Sequence, residues 1–106
     1  MRKSFQRHFR KFHSKKTTGH PSYVFDENGN VYKVISITSS PVTNNVSNIR
    51  LERNPEPGNT TTAYVRPKVI DIPNGTKNSK LKGWSFSNFD KKKVQVIIDE
   101  DKKKRK

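Results

Sequence analysis

Apolar side chains in the first eighteen residues, MRKSFQRHFRKFHSKKTT, fall at Phe5, Phe9 and Phe12. That spacing of i, i+4 and i+7 marks one face of an α-helix. Arg2, Lys3, Arg7, Arg10 and Lys11 fall mostly elsewhere on the wheel, so the pattern predicts a basic amphipathic helix over 1–18. Three uses of such a helix compete. Its Phe stripe can pack on the body of the protein. It can be an arm that folds on RNA. It can lie on a membrane, although neither Trp nor Leu joins the apolar face. Its charge also resembles that of an organelle presequence, but no cleavage site is marked.

Gly19, His20 and Pro21 break the helical pattern, and period-2 alternation takes over. Residues 22–26 (SYVFD) are β-prone, 27–30 (ENGN) form a turn, and 31–38 (VYKVISIT) read as a longer strand. In that strand Val31, Lys33, Ile35 and Ile37 share one face, and Tyr32, Val34, Ser36 and Thr38 share the other. Residues 39–47 are polar and loop-like. Ile49 and Leu51 point inward from a short strand over 48–53, and 54–59 (NPEPGN) is a loop. A further strand opens at 63–67 and continues through 69–72, with Pro67 marking an edge or a bulge. Residues 73–82 read as a mobile cationic loop. At the C-terminal end Ser87 and Asp90 are spaced as a variant capping box, which starts a helix with Phe89, Val94, Ile97 and Ile98 inward. Val94, Val96 and Ile98 also alternate as in a strand. The cap and the run Lys91–Lys93 favour the helix.

The expected fold is therefore α+β: an N-terminal helix packed on a small twisted antiparallel sheet of about four strands, and a C-terminal helix. Residues 1–18 form the helix or arm, 19–99 a single domain, and 100–106 a basic disordered tail.

Charge changes the picture more than composition does. The 106-residue chain is only 28% hydrophobic, against ~45–50% in typical soluble domains, so any core is small. Its net charge of +14 is concentrated at the ends. Residues 1–20 hold seven Lys/Arg and no acid, and residues 91–106 hold eight Lys/Arg and three acids, so 21–90 carries only +2. Basic ends around a nearly balanced body are the footprint of a polyanion binder, since each neutralised phosphate releases a counterion. Nucleic acid is the expected partner, RNA ahead of DNA. Arg2, Lys3, Arg7, Arg10, Lys11, Arg50, Arg53, Lys80 and Lys82 are the expected contacts. The plainer alternative is a solvated tail that only keeps the protein soluble.

The chain has no cysteine, which excludes disulfides, thiolate catalysis and Cys-based zinc sites. His8, His13 and His20 lack metal-ligand spacing, so neither a metal nor a cofactor is expected. No apolar run is long enough for a signal peptide or a membrane span, which makes a cytoplasmic location the default expectation.

No strong catalytic motif is present. Metal-independent RNA cleavage needs only a base, a cation and an acid, which His, Tyr, Arg and Lys can supply. The candidates are His20, Thr38, Tyr64 and Arg66. The plainer readings are a His that ends the first helix and a half-buried Tyr beside a surface Arg. Trp84 and Phe86 share a face if extended, as core side chains or as a base-stacking platform.

The runs Gly19–His–Pro–Ser–Tyr–Val–Phe, Tyr32–Lys–Val–Ile–Ser–Ile–Thr38, Asn48–Ile–Arg–Leu, Ala63–Tyr–Val–Arg–Pro67 and Leu81–Lys–Gly–Trp–Ser–Phe together resemble small proteins of phages and mobile elements. Those belong to the broad barnase/EndoU/colicin/RelE-like nuclease superfamily. The resemblance covers roughly 19–98. It implies a helical N-terminal part on a twisted antiparallel sheet, and RNA cleavage, commonly as a toxin. His20 and Thr38 would then lie at the active-site ends of the first two strands, with Tyr64 and Arg66 nearby. Related sequences carry a His directly after the Thr of the second strand, where this chain has Ser39. The missing acid/base group opens a competing class, a non-enzymatic interaction protein or phage inhibitor. Its partner would be RNA or an acidic protein such as an antitoxin.

Overall fold

A computed structural model describes residues 6–17 and 19–104. Eight strands precede one helix: β1 (His8–Phe12), β2 (Pro21–Glu27), β3 (Val31–Thr38), β4 (Val42–Thr43), β5 (Val46–Ser47), β6 (Ile49–Arg50), β7 (Tyr64–Pro73), β8 (Asn78–Leu81) and α1 (Asn88–Lys104). Six strands form one antiparallel sheet in the order β6-β7-β3-β2-β1-β8, and β4 and β5 make a separate small hairpin.

The described part of the predicted N-terminal helix is not helical. Residues 8–12 are a strand with neighbours on both sides, β2 and β8. The three-residue step from Phe9 to Phe12 fits a helix stripe, but in a strand an odd step puts the two rings on opposite faces. Both faces of the sheet are occupied here, so each ring finds its own core: Phe9 is 4% exposed and Phe12 is fully buried. Tertiary pairing has overridden a local period that two spacings could satisfy. Phe5, the third member of the stripe, lies outside the described residues. The estimate of about four strands is low for a related reason. Residues 78–81 (NSKL) have loop composition, yet they pair with β1 from Phe9↔Leu81 to Phe12↔Asn78. The fold is thus mostly sheet with one C-terminal helix.

The hairpin over 22–38 is present as β2 and β3. Asn28 and Val31 flank the turn, whose central pair is Gly29–Asn30. Only Gly29 takes a positive φ (88°), the first central position of a two-residue hairpin turn that favours glycine. Pro67 sits in a bulge of β7. Ile35 pairs with Val69 and Ile37 with Val65, so β7 uses Arg66, Pro67 and Lys68 where β3 has one residue.

The sheet curls strongly. Phe12 lies at the end of β1 near Pro21, whereas Tyr32 pairs with Glu27 at the far end of β2, yet their rings are 5.7 Å apart. The same curl lets the four residues 74–77 join β7 to β8, and Lys16 Nζ reach the carbonyl oxygen of Asp71 at 2.9 Å. The larger core lies on the side covered by α1 and the segment before it. Phe9, Tyr23, Phe25, Ile35, Ile37 and Val65 meet Phe86, Val94, Ile97 and Ile98 there. A smaller core on the other side joins Phe12, Val24, Val34 and Ile72, with Tyr32 and Ile70 against it.

Helix α1 starts as the cap spacing predicts, with the Asp90 backbone N–H donating to Ser87 Oγ at 3.1 Å. Val94, Ile97 and Ile98 are buried, but Phe89 is 54% exposed and does not join the core. The rings of Phe9, Tyr23 and Phe86 pack at centroid distances of 4.8–5.1 Å, the heart of the larger core.

Phe9→Ala is expected to destabilise the fold by ~3–5 kcal/mol, as loss of a buried aromatic does. Phe89→Ala should cost under about 0.5 kcal/mol. Urea unfolding of both variants checks this. Equal effects would mean that the N-terminal strand does not contribute to the core.

Candidate nucleic-acid interface

Two segments without regular structure, 51–63 and 82–87, contribute to two adjoining depressions of the surface. Each is held by specific contacts. The Asp90 carboxylate, fully buried in the first turn of α1, accepts the backbone N–H of Glu52 (2.7 Å) and of Arg53 (3.1 Å). Lys93 Nζ, 3.9 Å from Asp90 Oδ1, also donates to the carbonyl oxygen of Arg50 at 2.7 Å. The segments then bind each other. Ser85 N–H donates to the carbonyl oxygen of Pro55 (3.1 Å), and Arg53 Nη2 donates to the carbonyl oxygen of Ser85 (3.1 Å). Gly83, at φ 80°, turns the chain against Pro57 and into Trp84.

Loop 54–62 is stiffened by its own Asn and Thr side chains, which mimic backbone turns. Asn54 Oδ1 accepts Glu56 N–H (2.9 Å), Asn59 Oδ1 accepts Thr61 N–H (2.9 Å), and Asn59 Nδ2 donates to Glu56 Oε1 (2.8 Å). Between this loop and the ends of β2 and β3 opens a cleft of about 200 Å³. His20, Thr38 and Ser39 line one side, Asn54, Glu56, Asn59 and Thr62 the other, and Trp84 closes one end. His20 is exposed, held by a 2.9 Å hydrogen bond from its backbone N–H to the carbonyl oxygen of Thr17. Thr38 is buried, and its Oγ1 accepts Ser40 N–H at 3.2 Å.

A second, larger and open groove of about 730 Å³ shares Trp84 with the cleft. Arg7, Lys80, Lys82 and Lys91 line it around a wall formed by Phe9, Trp84 and Phe86. The curl of the sheet makes this assembly, because β8 brings Lys80 beside β1. Arg7 Nη1 donates to a neutral partner, Gln95 Oε1 (2.9 Å), and pairs with no carboxylate among the described residues. Trp84 is half-buried, with its ring 5.8 Å from that of Phe9, and it lines both the groove and the cleft.

The residues singled out from sequence are only partly brought together. His20 and Thr38 share the polar cleft. Tyr64 is the register partner of Thr38 but is not among the cleft residues, and Arg66 sits in the β7 bulge with a buried Nε that has no partner. These four side chains do not converge on one groove. Arg7, Lys80 and Lys82 do converge in the cationic groove. Arg10 is braced by His8 Nε2 (2.8 Å) and Asn78 Oδ1 (2.7 Å) with its guanidinium 5.7 Å from the Tyr32 ring centroid. Lys11 is exposed on β1. Arg50 and Arg53 are not among the groove-lining residues, although the Arg53 guanidinium bonds to Ser85, which lines it. Arg2 and Lys3 lie outside the described residues.

Sequence reasoning missed Lys91, Asn54, Glu56, Asn59 and Thr62. Lys91 reads as one of a helix-surface run. The turn pattern Asn54-Pro-Glu56-Pro-Gly-Asn59-Thr-Thr61 was legible as a loop, and its Asn spacing carries a signal for a structured one. Comparison of the chain with protein-family models, with curated proteins and with solved structures finds no match to any of them. No helix among the described residues is long and apolar enough to cross a membrane.

Asp90→Ala leaves two backbone donors without their charged acceptor and is expected to cost about 3 kcal/mol. Faster amide exchange at Glu52 and Arg53, with the amides of β2 and β3 less affected, would locate the damage in the loop. Unchanged exchange at those two amides would refute the anchoring role.

Proposed function

We propose that the protein binds single-stranded RNA along the cationic groove, with one unstacked base against Trp84. The observation that supports this reading is the continuity of the two sites through that one indole. Four cations with no acidic partner among the described residues line the groove, and hydroxyls, amides and the single carboxylate of Glu56 line the cleft. Single strands are bound in this way, by backbone-tracking charge combined with aromatic faces on which bases stack. A duplex keeps its bases paired and would leave the indole unused. The same cations also suit an acidic protein partner, but such a partner has no use for a stacking ring beside an amide-lined cleft.

Metal-independent cleavage of the bound RNA is a second reading, favoured by His20 and Thr38 facing one cleft. Threonine is not an acid or base near neutral pH, and Tyr64 and Arg66 stand apart. Activity would therefore rest on His20 with a group not among the original four. Incubation of RNA in excess chelator, comparing the protein with His20→Ala, tests it. A drop of ~10²-fold or more in a folded variant that still binds RNA supports a general acid–base role. Binding without cleavage across many RNAs removes the reading.

For binding, replacing Arg7, Lys80, Lys82 and Lys91 by Gln should flatten the slope of log affinity against log salt by about 3, at roughly 0.7 per single-strand phosphate contact. Trp84→Ala should weaken binding by ~1–3 kcal/mol with little change in that slope. Fluorescence anisotropy with a short labelled RNA measures both. A slope untouched by the four substitutions would place the phosphates elsewhere.

A further inference from the structure

The geometry points to the polar cleft as a nucleoside subsite that takes one base with an exocyclic amino group, in preference to uracil. This inference rests on the RNA-binding reading above and extends it to the part of the nucleotide each site receives.

Charge separates the two sites. Arg7, Lys80, Lys82 and Lys91 all line the groove, and none of them lines the cleft. The cleft lining contains one carboxylate, Glu56, together with His20, Thr38, Ser39, Asn54 and Thr62. A phosphate entering there would meet a like charge and no lysine or arginine. The uncharged parts of a nucleotide meet hydroxyls, amides and an indole. The volume of about 200 Å³ is below the ~300–1,000 Å³ of pockets for drug-sized ligands, and suits a single ring system. Trp84 at the boundary offers that ring a stacking partner while the phosphates remain among the cations.

Glu56 supplies the selectivity. An ionised carboxylate only accepts hydrogen bonds. The Asn59 amide holds Glu56 Oε1 at 2.8 Å, and Asn54 Oδ1 holds the Glu56 backbone N–H at 2.9 Å, so the side chain is set in place before any ligand arrives. Oε2 has no protein partner among the described residues. Adenine, cytosine and guanine each present an amino N–H to such an acceptor. Uracil presents a single ring N–H between two carbonyl oxygens, both of which oppose a carboxylate. The pocket is therefore built for donors on the base edge.

The test uses uncharged nucleosides on the intact protein. Trp84 is the only tryptophan of the chain and lines both sites, so its emission reports on a base at their boundary, and the Glu56 variant assigns the signal to the cleft. Adenosine and cytidine are expected to change that emission with affinity on the order of a millimolar, the same at low and high salt because no counterion is released. Uridine should bind at least about tenfold more weakly, a gap worth about 1.4 kcal/mol. Glu56→Gln, which keeps an oxygen for Asn59 and adds a donor, should close the gap between cytidine and uridine. Equal response to uridine in the unaltered protein overturns the selectivity. Silence toward every nucleoside while labelled RNA still binds with salt dependence overturns the subsite and leaves the RNA reading standing. Nucleoside binding without RNA binding overturns the RNA reading instead. Inorganic phosphate displacing adenosine would show that the cleft takes the phosphate, and would also refute the assignment.

Discussion

One buried carboxylate ties the sheet, the helix and the irregular segments into a single object. Asp90 occupies the third position of α1, where the helix dipole favours a negative charge. Both its oxygens point at backbone N–H groups of the segment that leaves β6. A buried charge is tolerable only when its hydrogen-bonding capacity is met, and here two amides and the nearby Lys93 ammonium meet it. Through this contact the start of the helix sets where residues 52–53 lie. Those residues in turn set where Asn54 to Thr62 fold and where Ser85 and Trp84 can dock. Both clefts depend on that chain of attachments.

The arrangement also explains how a chain so poor in apolar residues folds. The apolar side chains are divided between two faces of a curled sheet, each in a small core, and aromatic rings fill much of the larger one. Curling brings strand ends together that are distant in a flat sheet, so a few residues cover each face. The excess positive charge then has only the surface left to occupy. Part of it collects where β1, β8 and the start of α1 meet, producing the cationic groove. The polar cleft is assembled from side chains with little charge and stays separate from it. The two surfaces meet only at Trp84, and so they can divide a charged polymer into its phosphate and base parts.

Much of the strand content was legible locally. The β2–β3 hairpin follows from alternation and the turn residues at 27–30, the bulge in β7 from Pro67, and the start of α1 from Ser87 and Asp90. The N-terminal segment misled because Phe9 and Phe12 satisfy a helical period as well as they serve two faces of a strand. Strand β8 was hidden because Asn, Ser and Lys say nothing of pairing until β1 is beside them. The site was legible in part. His20 and Thr38 flank recognisable strands and do share a cleft. Tyr64 and Arg66 sit two apart on β7, but Tyr64, although paired with Thr38, does not line that cleft, and Arg66 lies in the bulge.

By itself the sequence determined the strands β2, β3 and β7, the capped C-terminal helix and the placement of positive charge toward the ends. These depend on neighbours within a few residues, or on composition alone. Only the tertiary structure decided that residues 8–12 are a central strand, that Asp90 holds a loop nearly forty residues earlier in the chain, and that Arg7, Lys80 and Lys91 share one groove around Trp84. Those outcomes depend on pairing between segments far apart in the chain. The free energy of such pairing comes from burying two faces at once, and no local pattern records which partner will supply the second face.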